Sequence, residues 1–186
     1  MRFIETGFPG LVLIEPKVFE DERGYFYESY NARLYTEAGI DCDFVQDNQS
    51  KSSYGVIRGL HYQLAPNAQA KLVRVISGEV LDVVLDLRKG SPRYGEVFAV
   101  RLTADNKKQL FIPRGFAHGF SVLSEEAVFF YKCDAYYDKN SERGIRYDDP
   151  DLGVDWMIPE KKQKISEKDQ KLQFWKEAEH NFKFQA

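Results

Sequence analysis

Long apolar runs are missing from this sequence. A helix that spans a membrane needs about 20 consecutive apolar residues, and no stretch of the chain approaches that length. The longest apolar run near the N-terminus is Leu11–Ile14, which is too short for the apolar core of a secretion signal. We therefore expect a cytoplasmic protein without a membrane partner.

Excess charge of either sign is also missing, since 26 basic residues are balanced by 29 acidic ones and the formal net charge is -3. Proteins that bind nucleic acid through its phosphates carry a basic surface, and proteins held at anionic membranes carry polybasic segments. This charge balance predicts neither kind of partner.

Cysteine and histidine are scarce, with 2 and 3 copies in 186 residues. Cys42 and Cys133 form no CxxC motif, so we predict reduced thiols without a chemical role. Metal sites in β-barrels commonly use a His-x-His pair with a following Glu and a later His, whereas Tyr62 and Gln63 follow His61. We therefore predict no metal site.

Aromatic residues, at 15%, and short apolar segments between turn residues are plentiful, which is typical of antiparallel β-proteins. We predict a single all-β domain over residues 1–186, either a sandwich or a barrel. A short helix is predicted at Asn31–Ala38, with Asn31 as N-cap and Gly39 just beyond its end. The predicted strands include Val56–Gln63, Lys71–Ser77, Val80–Leu87, Val97–Leu102, Leu110–Ile112, Phe116–Leu123 and Ala127–Cys133.

The clearest alternation of apolar and polar residues lies in Val80–Leu87, which we pair with Lys71–Ser77. Asp82 and Asp86 fall on the face opposite the leucines, and Arg74 lies in the partner strand. These charges fit a barrel with a partly polar interior, or strands with one face in solvent. Of the two interpretations we favour solvent.

The C-terminal third changes character after the last predicted strand. Residues 144–163 have the composition of a loop, and a helical pattern begins at Ser166, with Leu172 and Trp175 on one face. We predict that residues 164–186 form a helical cap on one end of the barrel and not a second domain.

Two histidines, His61 and His118, stand among apolar residues and glycines. Taken alone, each fits a hydrogen-bonded core histidine better than a catalyst. The polar run Gln46–Ser50, with Arg58 and Lys71 further along, offers amides for sugar hydroxyls and cations for phosphate. By composition alone, ordinary surface polarity explains these residues equally well.

Six segments in order resemble one known family, the dTDP-4-dehydrorhamnose 3,5-epimerases, and the resemblance covers essentially the whole chain. It implies a cupin-type double-stranded β-helix, or jelly roll, that uses no metal or other cofactor. It also implies a homodimer in which N-terminal strands, within about residues 1–30, contact the partner subunit. The six segments are Asp21–Glu28, Gln46–Ser50, Gly55–Gln63, Lys71–Val75, Gly115–Phe120, and Tyr131–Cys133 with Tyr136 and Tyr137.

The resemblance further implies a reaction, the epimerisation of dTDP-4-dehydro-6-deoxy-D-glucose at C3 and C5 to dTDP-4-dehydro-L-rhamnose. Both carbons are α to the C4 ketone, so their protons are acidified by enolate formation. A site for this reaction needs a base, an acid on the opposite face of the sugar, and a group that stabilises the enolate oxygen.

Four residues match the family's catalytic positions. The resemblance implies that His61 is the base, Asp169 its carboxylate partner, Tyr131 the acid and Lys71 the cation beside the enolate oxygen. Each has a structural alternative: Asp169 also fits a capping box with Ser166, Tyr131 a core position and Lys71 a strand end in solvent. The positions that match substrate binding are Phe19 and Phe26, for the thymine ring, and Arg23, Glu28, Gln46, Asn48, Arg58, His118, Tyr137, Glu142 and Lys168.

One difficulty concerns the direction of two of these side chains. Arg58 and His61 would point to opposite sides of a regular strand, although both belong to the expected site. We predict a bulge at Gly59 that redirects one of them, or an Arg58 that acts from the strand end.

Other functions fit parts of the same pattern. An epimerase specific for C3 or C5, or a ketoisomerase, would share the base and the fold. A non-catalytic barrel that binds sugar nucleotides would share only the binding residues. A metal-dependent oxygenase barrel ranks last because the metal-ligand spacing is missing.

Overall fold

The computed structural model describes residues 1–185, which form a barrel of short strands. Two α-helices are present among these residues, α1 at Ala32–Glu37 and α2 at Glu167–Gln170, with 3₁₀ turns at Glu160–Lys162 and Trp175–Glu177. No helix in this part of the chain is long and apolar enough to cross a membrane. The strands are β1 Arg2–Glu5, β2 Val12–Glu15, β3 Phe19–Asp21, β4 Gly24–Phe26, β5 Gln46–Ser53, β6 Val56–Gln63, β7 Lys71–Ser77, β8 Glu79–Asp86, β9 Val97–Thr103, β10 Gln109–Ile112, β11 Phe116–Val122, β12 Glu126–Cys133, β13 Glu142–Gly144 and β14 Lys164–Ile165.

Two sheets face each other and enclose the core. The first has the order β1-β2-β10-β7-β12-β5, and the second has the order β13-β6-β11-β8-β9, with β14 added alongside β6. From β5 to β8, and again from β9 to β13, successive strands alternate between the two sheets. This winding is the double-stranded β-helix, so the predicted jelly-roll fold is confirmed.

The seven strands predicted by segment are present to within one residue at either end. The predicted helix is also confirmed: Asn31 caps α1 by accepting a hydrogen bond from the backbone N–H of Leu34, and Gly39 follows with a φ of 81°. Strand β5 was not predicted as a strand. Its side chains on both faces are polar, and it therefore lacks the apolar alternation by which strands are recognised.

The predicted pairing of Lys71–Ser77 with Val80–Leu87 is wrong. Strand β7 pairs with β10 and β12, whereas β8 pairs with β9 and β11 in the other sheet. Gly78, at φ 82°, carries the chain from one sheet to the other. A short glycine turn between two strands predicts a hairpin, and only the packing of the two sheets shows that the chain crosses between them here.

The expectation that Asp82 and Asp86 face solvent is also wrong, because both side chains are fully buried. Strand β8 is covered on both faces, as Val84 packs inside the barrel and Leu85 packs against C-terminal residues that include Phe182. Arg74 points away from the barrel interior, where it is half-covered and donates a hydrogen bond to the hydroxyl of Tyr27 at 3.2 Å.

The C-terminal segment is helical over two short stretches and not throughout. Beyond α2 the chain is mostly irregular and lies against the second sheet, where Lys89 bridges to Lys183 and Ile145 to Gln173. The predicted helical face with Leu172 and Trp175 is therefore wrong, because the helix is interrupted between them, where the carbonyl of Gln173 accepts from the N–H of Arg146 and the N–H of Trp175 donates to the side chain of Asp149.

Candidate active site

A histidine and a carboxylate form the centre of the candidate site. The Nε2 atom of His61, on β6, lies 2.7 Å from Oδ1 of Asp169 in α2. His61 is partly open, with 32% of its side chain exposed, whereas Asp169 is 5% exposed. The predicted pairing of these two residues is present.

Two backbone contacts hold Asp169 in this place. Its N–H donates to Oγ of Ser166 at 3.1 Å, which makes Ser166 the N-cap of α2, and its Oδ2 accepts from the N–H of Gly59 at 3.3 Å. Burial alone would raise the pKa of the Asp169 carboxyl, but the hydrogen bond and charge of His61, together with the Gly59 N–H, lower the pKa below its ordinary value. Asp169 therefore sits in the capped first turn of α2 and orients His61 as an ionised carboxylate.

The predicted bulge at Gly59 is present and turns Arg58 and His61 toward the same cavity. His61 pairs with His118 on β11 and Arg58 pairs with Phe120, so two residues of β6 face one residue of β11 between these pairs. A Cβ atom on Gly59 would lie 2.5 Å from the Cα of Gly119, and its φ is 121°. Only glycine fits this close approach.

His61 and Tyr131 line one cavity of about 280 Å³ inside the barrel. Tyr131 comes from β12 in the first sheet and His61 from β6 in the second, so the two side chains belong to opposite walls. The other residues that line the cavity are Asn48, Gln49, Ser50, Arg58, Lys71, His118, Gly119, Phe120 and Phe129.

Burial controls the ionisation of two groups in the cavity wall. It is the main cause that raises the pKa of the Tyr131 phenol, which therefore stays protonated at neutral pH. Burial also lowers the pKa of Lys71, whose Nζ lies 5.8 Å from the centre of the Tyr131 ring. Within residues 1–185, Lys71 forms no salt bridge, and the charges of Asp82 and Glu142 only partly oppose the effect of burial on its pKa.

A second histidine–carboxylate pair lies in the same wall. His118 Nε2 is 2.9 Å from Oδ2 of Asp82, and both side chains are buried. Burial is the main cause that lowers the pKa of His118, and the nearby carboxylate opposes it. The other oxygen of Asp82, Oδ1, has no hydrogen-bond partner within the described chain.

Four predicted binding residues form a connected group of hydrogen bonds. Glu142 accepts from Nζ of Lys168 at 2.6 Å and from the hydroxyl of Tyr137 at 2.9 Å, and the N–H of Tyr137 donates to Oε1 of Gln46 at 3.1 Å. Burial opposes ionisation of Glu142, but the bonds from Lys168 and Tyr137 outweigh it and lower its pKa. Gln46 in turn donates to Asn48 at 3.0 Å, which connects the group to the cavity.

The remaining predicted residues are not brought to this cavity. Phe19 and Phe26 are cross-strand neighbours in the β3–β4 hairpin and are 54% and 67% exposed. Arg23, at the tip of the hairpin, pairs with Asp21. Glu28 accepts a hydrogen bond from Asn31 at 3.2 Å. None of these four residues lines the cavity.

Sequence reasoning missed several residues that the structure places at the site. Ser50 lines the cavity, and Ser52, two residues further on the same face of β5, is 7% exposed. Gln46, Asn48, Ser50 and Ser52 are all less exposed than the residues between them. The sequence carries no signal for this face, because all eight residues of β5 are polar and the alternation appears only in their exposure.

Two further features of the structure bear on metal binding and proton transfer. Among residues 1–185, no three His, Cys, Asp or Glu side chains converge as a metal-binding group. A larger concavity of about 680 Å³ lies beside β1 and β2, and Glu5 is its single ionisable lining residue within the described chain. The acid–base groups therefore converge in the smaller cavity.

Fold and site together define a jelly-roll protein whose interior is arranged for acid–base chemistry. A family model described as dTDP-4-dehydrorhamnose 3,5-epimerase matches residues 5–177. The chain belongs to this family.

Individual relatives agree with this assignment. A dTDP-4-dehydrorhamnose 3,5-epimerase of Shigella flexneri is 54% identical over 85% of this chain and 88% of its own length. The crystal structure of a dTDP-6-deoxy-D-glucose-3,5-epimerase from Legionella pneumophila, in complex with dTDP-4-keto-L-rhamnose, is 46% identical, covers 100% of this chain and 99% of its own, and has a TM-score of 0.93. A 3′-monoepimerase from Streptomyces bikiniensis in complex with dTDP-quinovose is 30% identical over 90% of this chain and 84% of its own, with a TM-score of 0.83.

Proposed function

We propose that this protein is an isomerase that epimerises dTDP-4-dehydro-6-deoxy-D-glucose at C3 and C5 to dTDP-4-dehydro-L-rhamnose, in the biosynthesis of dTDP-L-rhamnose. The observation that carries the proposal is the His61–Asp169 pair facing Tyr131 across one cavity, in a chain 54% identical to a named 3,5-epimerase.

His61 removes the proton from carbon. Because Nε2 donates its hydrogen to Asp169, Nδ1 keeps the lone pair that accepts the substrate proton. The ionised carboxylate stabilises the imidazolium that forms, and it holds the ring in the tautomer that the reaction requires. His61 is partly exposed, so the imidazolium can pass its proton to water before the second epimerisation.

Tyr131 returns a proton to the opposite face of the same carbon. Its raised pKa keeps the phenol protonated until the enolate forms, and the resulting phenolate regains a proton from water. The electron pair of the broken C–H bond moves to the C4 oxygen and back, so the sugar is neither oxidised nor reduced.

Lys71 stabilises the enolate oxygen between these two proton transfers. Lys71 lines the cavity, and an ammonium group shielded from water interacts with developing negative charge more strongly than it would in water. His118 lies in the same cavity wall and forms a hydrogen bond with the sugar, as donor or acceptor. Each of these groups acts without changing the oxidation state of the sugar.

The dTDP portion of the substrate extends from the sugar cavity, where Arg58 and Asn48 lie, toward the neighbouring concavity lined by Arg58 and Lys168. Arg58 and Lys168 carry the positive charge suited to the diphosphate, and Gln46, Asn48 and Glu142 offer hydrogen bonds to the nucleoside. The exposed pair of Phe19 and Phe26 fits the two faces of a thymine ring.

We include in the proposal a homodimer in which the β3–β4 hairpin serves the site of the partner subunit. The support is that Phe19, Arg23 and Phe26 lie away from their own cavity and that β3 and β4 pair only with each other among the described residues. A cytoplasmic location is supported by the free thiols of Cys42 and Cys133, since the cytoplasm keeps thiols reduced.

The dimer is tested by mixing two inactive variants, His61→Asn and Phe26→Ala/Arg23→Ala. If the hairpin acts in the partner's site, each mixed dimer contains one complete site. Its activity should then reach up to about half of that of a wild-type dimer. Recovery no greater than the sum of the two variants would contradict hairpin exchange. Light scattering of the wild-type protein gives the oligomeric state independently.

The reaction is tested in deuterated water with the 4-keto sugar nucleotide as substrate. We expect a product with inverted configuration and deuterium at both C3 and C5, and a loss of about 10²–10⁴-fold in turnover for His61→Asn. Label and inversion at one carbon would instead identify a monoepimerase, for which the Streptomyces bikiniensis relative is a precedent. Binding without any label would identify a non-catalytic barrel.

A further inference from the structure

Arg58 differs from most arginines of this protein in its partner. Arg23, Arg88 and Arg146, for example, each contact a carboxylate. Arg58 instead donates from Nε and Nη2 to a single neutral oxygen, the hydroxyl of Ser52, at 3.2 and 3.1 Å. No salt bridge to Arg58 is present within residues 1–185.

Ser52 is held in a fixed position on the strand opposite Arg58. It lies on the inner face of β5, pairs with Ala127 on β12, and is 7% exposed. The chain turns between β5 and β6 at Tyr54 and Gly55, and this turn brings the serine and the arginine together although they belong to different sheets.

We propose that Ser52 is a positioning residue that fixes the guanidinium of Arg58 for the diphosphate of the substrate. This inference rests on the proposed function and extends it to a residue that does not line the sugar cavity. A guanidinium has five N–H donors, and Ser52 engages two of them along one edge. The Nη1–Nη2 edge remains for a bidentate contact with phosphate oxygens.

A serine suits this purpose better than a carboxylate for an electrostatic reason. Asp or Glu at this position would hold the guanidinium equally well, but it would neutralise the charge that attracts the diphosphate. The neutral hydroxyl of Ser52 restricts the long side chain, whose rotamer entropy would otherwise be lost on binding, and it leaves the full positive charge of Arg58 for the ligand.

The test measures the binding of dTDP and of thymidine to Ser52→Ala. We expect the dissociation constant of dTDP to rise about 3- to 10-fold, because one hydrogen-bonded anchor is lost, and that of thymidine to stay unchanged. In the reaction, KM should rise by a similar factor while kcat stays within about 2-fold. The matched control is Ser53→Ala, which removes a neighbouring hydroxyl that bonds to Lys164 at 3.0 Å on the outer face of β5.

A double-mutant cycle separates positioning from a general structural effect. In an Arg58→Ala background, Ser52→Ala should have no further effect on dTDP binding, since its partner is already gone. An additive effect, an equal weakening of thymidine, or wild-type binding by Ser52→Ala would each overturn the inference. If the alanine variant does not fold, Ser52→Cys keeps the volume with a weaker acceptor. A wild-type protein that fails to bind dTDP would overturn the proposed function itself.

Discussion

The substitution Asp169→Asn tests the electrostatic part of the mechanism with little change of shape. The backbone N–H of residue 169 can still donate to Ser166, the N-cap of α2, and the side-chain oxygen of asparagine can still accept from the N–H of Gly59. What changes is the group 2.7 Å from Nε2 of His61, which loses its negative charge. An amide there can also donate to Nε2, which would stabilise the tautomer that has no lone pair at Nδ1.

The magnitude follows from the charges involved. Two unit charges with centres about 4 Å apart interact by about 4 kcal/mol at an effective dielectric constant near 20. The interaction exists only while His61 is an imidazolium, so it lowers the barrier and not the energy of the bound substrate. Its full loss would slow turnover by about 10³-fold, and the partial exposure of His61 reduces this expectation to about 10²–10³-fold.

The assay is deuterium incorporation at C3 and C5 under saturating substrate, together with the dissociation constant of dTDP. We expect kcat to fall and dTDP binding to stay within about 2-fold of the wild type, because the Asp169 side chain is 5% exposed and its oxygens already contact His61 and the N–H of Gly59. The control is Asp151→Asn, which removes an exposed carboxylate paired with Lys176. A kcat within about 3-fold of the wild type would refute the role given to the His61–Asp169 pair.

Four further predictions concern the same site. Tyr131→Phe should keep deuterium exchange by His61 but reduce formation of inverted product by about 10²-fold or more, as measured by NMR. Lys71→Gln should lower kcat by about 10²–10³-fold with a small change in dTDP affinity, as measured by kinetics and calorimetry. Gly59→Ala should lower the free energy of unfolding by about 3 kcal/mol in denaturant titration, because its Cβ would lie 2.5 Å from Gly119. Because the pKa of Asp169 is lowered in the folded protein, its carboxylate stabilises the fold at pH values above its ordinary pKa of 3.8. This contribution is lost as the pH falls through the lower pKa of the folded state. Below pH 3.8 the free energy of unfolding should therefore decrease less for Asp169→Asn than for the wild type.

Local patterns in the sequence were sufficient for most of the strands and for part of the site. Alternating apolar residues predicted β6 to β12, and a cap residue with a following glycine predicted α1. The resemblance to the epimerase family, and not a local pattern, pointed to His61 and Tyr131, and the structure brings both to one cavity. The bulge at Gly59 was also predictable, because two side chains expected at one site have the wrong spacing for a regular strand.

Relations between distant segments were not available from these patterns. Strand β5 has no apolar alternation, and its polar inner face is understandable only beside the cavity that it lines. Likewise, the burial of Asp82 depends on His118, 36 positions further along the chain, and on the wall of residues around it.

What the sequence determined by itself was therefore which segments become strands, since this depends on residues close together in the chain. Only the tertiary structure decided that β7 and β8 belong to different sheets, that both faces of β8 are covered, and that the C-terminal segment lies mostly irregular against the barrel. The physical reason is that the residues of a strand or turn do not by themselves specify which strand lies beside them. That pairing depends on apolar surfaces and backbone groups that are distant in the sequence.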